Sequence, residues 1–110
     1  MTSSNSSREN ARPPNEYILS PAAQADLDQI WDYTADRWSL AQAEKYVREI
    51  QAACEAAATS LRPGQAIDDI RSGYRKLAVG SHFLFFKKTD HGVIDIIRIL
   101  HKRMDIRSHL

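Results

Sequence analysis

Cysteine is nearly missing from this chain, with one residue, Cys54, in 110. A lone thiol cannot build an intramolecular disulfide framework, and such usage fits a reducing compartment, so a cytoplasmic location is expected. Long apolar runs are missing too. None approaches the roughly 18 residues of a membrane span, so no membrane role is expected. The opening MTSSNSSRENARPPNE lacks the apolar core of a secretory signal. Rich in Ser, Asn, Arg and Pro, residues 1–16 have little to bury and are expected to be a disordered lead-in to one domain over residues 17–110. The four glycines, Gly64, Gly73, Gly80 and Gly92, are spread out as turn residues and form no phosphate-binding loop. His82, His91, His101 and His109 have neither a paired cysteine nor HExxH spacing, so no metal centre and no cofactor are expected.

Charge of one sign is also lacking overall, but not locally. Residues 1–70 carry six Lys/Arg against eleven Asp/Glu, and residues 71–110 carry nine against three, so a front of −5 precedes a back of +6. Such asymmetry points the C-terminal part toward an anionic surface, or it reflects sheet edges kept soluble by Lys and Arg.

What is present reads as an α+β chain. Tyr17-Ile18-Leu19 suits a first strand. Ser20-Pro21 opens a helix, since serine caps free N–H groups and proline suits the first helical position. Ala23, Leu27, Ile30, Trp31, Thr34 and Trp38 then follow helical spacing, with the aspartates 26, 28, 32 and 36 mostly off that stripe. Ser39 and Gln42 have capping-box spacing, and Leu40, Ala43, Val47, Ile50, Cys54, Ala57 and Leu61 form a narrow seam, so a helical hairpin is predicted. Arg62-Pro63-Gly64 ends it. Three β-rich segments follow, Arg71–Val79, Ser81–Lys88 and Val93–Leu100, joined by short turns as an antiparallel meander. The predicted order is β-α-α-β-β-β, a helical hairpin packed on a small, mainly antiparallel sheet. The tail KRMDIRSHL suits a final loop or short helix.

Candidate chemistry lies in the C-terminal half. Arg71 and Arg75 share strand parity and are predicted to project from one face. Arg98 interrupts an apolar run, with Ile94, Ile96 and Leu100 of its parity; such a charge either snorkels at the sheet end or is held by a partner. His101, Lys102, Arg103 and Arg107 follow, as an anion-binding corner or as a solvated tail. Cys54 lies on the apolar seam, where a buried thiol acts as a small hydrophobe.

The segments SPAAQADLDQIWDYTADRW and SLAQAEKYVREI, then DDIRSGYRKLAVGSHFLFF and IDIIRILHKRMD in that order, resemble the ParE toxins of bacterial toxin–antitoxin modules, within the RelE/ParE superfamily. The resemblance runs from Tyr17 to the C-terminus and is most specific at Gly80-Ser81-His82 and at Leu100–Asp105. It implies a toxin that binds DNA gyrase, is silenced by a ParD-like antitoxin, and meets DNA only through the antitoxin or gyrase. RelE-like relatives instead cleave messenger RNA on the ribosome, which needs proton carriers and cations around the phosphorane. Here Phe83 stands where that branch places an arginine, and no tyrosine follows Tyr74, so no catalytic residue is assigned. The alternatives are a ribonuclease using His101 with Arg98 or Arg103, and an inactive member that only binds its antitoxin. Arg98, His101, Lys102 and Arg103 are the expected gyrase-facing residues. Leu40, Tyr46, Phe83 and Phe85 are the expected apolar wall for the antitoxin, whose acidic residues would pair with Arg71 and Arg75.

Overall fold

Two serines set where the helices begin. In the computed structural model, which describes residues 16–110, Ser20 Oγ accepts the Ala23 N–H at 3.0 Å and Ser39 Oγ accepts the Gln42 N–H at 3.0 Å. Helix α1 spans Pro21–Arg37 and α2 spans Leu40–Ala58, after the short strand β1, Tyr17–Leu19. A two-residue junction folds the helices back on each other as the predicted hairpin. Apart from Glu16, the lead-in expected over residues 1–16 lies outside the described residues.

Beyond the hairpin come β2 (Gln65–Ala66), β3 (Arg75–Val79), β4 (His82–Lys88) and β5 (Ile94–His101), then a 3₁₀ turn at Ile106–Ser108. The sheet order is β1-β5-β4-β3-β2, antiparallel except that β1 pairs parallel to β5. The predicted α+β arrangement is the one observed, with a short edge strand β2 added. The main core lies between helices and sheet, where Ala23, Leu27, Ile50, Cys54, Leu84, Phe86, Ile94 and Ile96 are buried together. Each large aliphatic or aromatic side chain so buried contributes about 1.5–3 kcal/mol. Burial pushes the Cys54 thiol up to about 12, which suits its expected role as a small hydrophobe. A second, smaller cluster of Ile67, Phe85 and Leu100 sits on the other face of the sheet, under Tyr74, Ile106 and Leu110.

One irregularity re-aims β5. Phe85 pairs with Arg98 but Phe86 pairs with Ile96, so Ile97 is an extra residue in the ladder. The bulge reverses which residues face the helices. Ile94 and Ile96 lie in the main core, as does Ile99, whereas Leu100 lies in the second cluster. Ser20 Oγ donates to the Ile97 carbonyl at 2.7 Å, so the cap of α1 also occupies a backbone acceptor at the bulge.

The structure corrects three expectations. The strand predicted from Arg71 starts only at Arg75; residues 67–74 form a turn, with the Ile70 and Arg71 N–H groups both bonded to the Ile67 carbonyl and Gly73 N–H to Asp68 Oδ1. Arg71 and Arg75 therefore do not share a strand face. Trp38, Leu40 and Leu61 end their stripes exposed, at 72%, 68% and 80%. They stand at helix ends, beyond the reach of the sheet. Asp26, by contrast, is buried, because the sheet edge brings it a partner.

Candidate functional site

β1 covers β5 only from Ile94 to Ile96. Past that point the outer edge of β5 has no strand partner among the described residues, and α1 lies along it. Asp26, one turn into α1, supplies what the missing strand would. Its Oδ2 accepts the Ile99 N–H at 2.9 Å and the Arg98 Nε–H at 2.8 Å, while Oδ1 accepts from Arg98 Nη2 at 2.8 Å. This fork-to-fork pairing is the strong geometry for arginine and carboxylate. Arg98 Nη1 also points to the His109 carbonyl, at 3.4 Å, which ties the tail to the sheet. The hydrogen bonds to Asp26 raise the Arg98 pKa further. Of the two fates open to Arg98 in the sequence, a partner holds it.

Beside this pair a cleft of about 300 Å³ opens between α1 and the end of the sheet. Ile30, Tyr33 and Thr34 form its helical wall; Leu100, His101 and Met104 form the other, with His82 at its base. Tyr33 is 63% exposed and Met104 42%, so the rim is apolar and accessible.

His82 and His101 face each other across β4 and β5, their rings edge-on at 5.3 Å between centroids. Behind them stands Tyr46 of α2. Its hydroxyl lies 2.7 Å from His82 Nδ1, accepts the Ser81 N–H at 2.9 Å and approaches the Val79 carbonyl at 3.2 Å. Burial raises the Tyr46 pKa. His101 Nδ1 accepts the Arg103 N–H at 3.1 Å, which leaves Nε2 to carry the proton of the neutral ring. Burial, seconded by the neighbouring His101, pulls the His82 pKa down to about 4, against a smaller opposing pull from Asp26.

That depression makes stability depend on pH. In the unfolded chain a histidine protonates near 6.5, and in the fold His82 does so near 4. Above 6.5 the ring is neutral in both states. As pH falls from 6.5 to 4 the unfolded chain takes up a proton that the fold refuses, and stability is lost. The ring is only partly buried, so screening limits the loss to on the order of 1 kcal/mol. Urea midpoints at neutral and mildly acid pH should differ by that amount more in the parent than in His82→Gln. Equal pH dependence in both would contradict the assignment.

Of the residues expected to face a target, Arg98 is engaged by Asp26. His101 lines the cleft. Lys102 and Arg103 are exposed just past β5, with Lys102 Nζ 5.4 Å from the centroid of the Phe83 ring. The residues expected to form one apolar wall are separated. Leu40 and Tyr46 belong to α2, whereas Phe83 and Phe85 lie on the opposite face of the sheet, and Phe85 is fully buried in the second cluster. Arg75 donates to the carbonyls of Pro63 (2.6 Å) and Gly64 (3.1 Å), and Arg71 lies against the Tyr74 ring. Toward the hairpin end of the helices Tyr33, Trp38 and Leu40 are exposed apolar residues, with Leu61 exposed beyond the other end of α2.

Sequence reasoning missed Asp26 and the Tyr46–His82 pair. Asp26 is three residues after Ala23 and four before Ile30, a spacing that places it on the buried stripe. Tyr46 and His82 are 36 residues apart, and nothing in the sequence links them. Among the described residues no cluster of His, Cys, Asp or Glu is arranged to hold a metal ion, and no helix is long and apolar enough to cross a membrane.

Comparison with known proteins converges on one group. Residues 17–106 match the family described as the ParE toxin of the type II toxin–antitoxin system parDE. Toxin ParE1 of Mycobacterium tuberculosis is 55% identical over 96 residues, which cover 87% of this chain and 98% of the relative. Toxin ParE1 of Caulobacter vibrioides is 46% identical over 95 residues, 86% of this chain and 96% of the relative. In fold, the chain superposes with a TM-score of 0.67 on a chain from the solved chromosomal ParDE TA system of P. aeruginosa, at 23% identity, over 78% of this chain and 94% of that one.

Proposed function

Because this chain belongs to the ParE toxin family of type II toxin–antitoxin systems, we propose that it arrests growth by binding DNA gyrase and that a ParD-like antitoxin holds it silent. The observation that carries the reading is the run His101-Lys102-Arg103-Met104, in which two exposed cations stand between two residues that line the open apolar cleft. An antitoxin helix would lay its apolar face on Tyr33, Trp38 and Leu40 and send a side chain into the cleft against Met104. Lys102 and Arg103 would meet acidic groups of the target, where complementary charge sets the encounter rate and the register.

A ribonuclease reading is weaker on this geometry. His101 has His82 for a neighbour, but of the two arginines that could serve it Arg98 is neutralised by Asp26 and is not free to meet a phosphorane, which leaves Arg103 alone. The test is a supercoiling assay with purified gyrase, run beside messenger RNA on ribosomes. The expected results are inhibited supercoiling with trapped cleaved DNA, relief by antitoxin, and intact RNA. Reversing both charges, Lys102→Glu with Arg103→Glu, should raise the inhibitory concentration about tenfold or more. Normal supercoiling at saturating toxin, with RNA cut, would replace the proposal with the ribonuclease. A chain that neither slows growth nor does either would be the inactive, antitoxin-binding member.

A further inference from the structure

The face of the sheet away from the helices carries an arrangement of which the gyrase reading uses only Lys102 and the antitoxin reading nothing. Alternation along β4 turns Leu84 and Phe86 to the helices, and Phe83 and Lys87 to the other side. Lys76 of β3 points the same way, opposite Phe85 in register. The Phe83 ring, partly buried, has Lys76 Nζ 4.5 Å from its centroid and Lys102 Nζ at 5.4 Å. The Tyr74 ring, also partly buried, has Arg71 Cζ and Lys87 Nζ each at 5.8 Å. Two aromatic stations thus stand at the ends of the small second cluster. Phe83 and Lys87 are four residues apart on one strand, which separates the stations by about 13 Å.

None of the four cations is in an ion pair with a carboxylate among the described residues. Asp95 stands opposite Lys87 in register, yet the two form no ion pair. Cations without acidic partners rest on ring faces, and the rings they rest on keep one part in the second cluster and another in solvent. Alternating ring and cation is the chemistry that answers alternating base and phosphate: aromatic faces stack on unpaired bases, and flanking cations follow the backbone. A duplex keeps its base faces stacked internally and cannot use such rings. An acidic peptide would use the cations but would leave the rings idle.

We propose that this helix-free face binds single-stranded nucleic acid directly, with bases stacked on Phe83 and Tyr74 and phosphates met by Lys76, Lys102, Lys87 and Arg71. The surface lies across the sheet from the apolar cleft and shares only Lys102 with the surface proposed to meet gyrase.

The test is fluorescence anisotropy of the purified chain with labelled oligothymidylate over a salt series, against the same sequence as a duplex and against a poly-glutamate peptide. Four phosphates neutralised at about 0.7 counterions each give an expected slope of about −2.8 for log affinity against log salt. Lys76→Gln with Lys102→Gln should reduce that slope by about 1.4. Phe83→Leu, which keeps apolar volume in the second cluster, should weaken binding about tenfold while leaving the slope unchanged. Lys45→Gln, on the exposed face of α2, should change nothing. Absence of binding at low salt, or a slope untouched by the double lysine variant, would overturn the proposal. So would tighter binding of poly-glutamate than of the oligonucleotide, which would make the face a site for an acidic peptide. The lysine variants leave both hydrophobic clusters untouched, so their result stands even where Phe83→Leu loosens the fold.

Discussion

Asp26→Ala should lower the melting temperature by about 12–24 °C. The substitution removes three hydrogen bonds at once, two from Arg98 and one from the Ile99 N–H. It leaves a guanidinium, whose side chain is only 23% exposed, without its counterion, and a buried backbone donor without an acceptor. Removing one partner of a buried pair costs about 3–5 kcal/mol; here the pair is partly open to water, so about 3 kcal/mol is expected. For a domain of this size each kcal/mol moves the melting temperature by about 4–8 °C. Asp26→Asn keeps an acceptor for Ile99 and should cost about half as much. The pairing itself is isolated by a double-mutant cycle. Arg98→Met placed on Asp26→Leu should recover part of the loss of Asp26→Leu alone, because no charge is then left stranded. Strict additivity of the two would show that the residues do not interact. Because Arg98 also reaches the His109 carbonyl, amide exchange in residues 106–110 should quicken in either single variant.

Gly80→Ala should destabilise the fold by about 2–4 kcal/mol, read as a shift of the urea midpoint. Gly80 has a φ of 55°, in the left-handed region that an L-residue enters at a cost of about 1 kcal/mol. The remainder is steric. A Cβ at this position would lie 2.5 Å from the Tyr46 hydroxyl oxygen. A long side chain usually yields to such a clash, but Tyr46 is held by Ser81 N–H, His82 and the Val79 carbonyl. If the ring is displaced, His82 loses its partner and its burial, so its pKa should climb from about 4 back toward 6.5. That shift is visible by NMR titration of the ring protons. Tyr46→Phe alone should cost only about 1 kcal/mol, since the groups it leaves can reach water. Combining Gly80→Ala with Tyr46→Ala should cost less than the sum of the two, because the clash is then absent. Full additivity would place the whole effect of Gly80→Ala in its backbone angle.

The element order was legible because it rests on local chemistry. Ser20 and Ser39 cap where their side chains can reach the next turn, and the apolar spacings of α1 and α2 are helical over many residues. The β-rich runs HFLFFKK and VIDIIRIL, set off by Gly80-Ser81 and Asp90-His91-Gly92, mark strands in the same local way. The reading failed where a local pattern ended and something distant decided. Arg71-Ser72-Gly73-Tyr74 looks extensible from Arg75 onward, but Asp68 and Ile67 fold it into a turn. Trp38 and Leu40 keep the helical spacing yet emerge exposed, because the sheet ends before they do. The parity argument for Ile94, Ile96, Arg98 and Leu100 failed at Ile97, where the bulge shifts the ladder by one residue. No feature of a single strand announces that shift, since it depends on the neighbouring β4.

The candidate site divides along the same line. Its cationic members, Arg98, Lys102 and Arg103, stood out in the sequence because charge beside an apolar run is conspicuous. Which of them is free was decided elsewhere, by Asp26, 72 residues away from Arg98 and brought to it by α1 lying along an uncovered sheet edge. The amino-acid sequence by itself determined two capped helices, a meander of strands and a basic C-terminal end, since caps, periodicity and charge act over a few residues. The tertiary structure alone decided which charges are spent and which face outward. It decided too that two histidines and a tyrosine meet behind the cleft, because such contacts need distant segments to be held at fixed separation by the packed core.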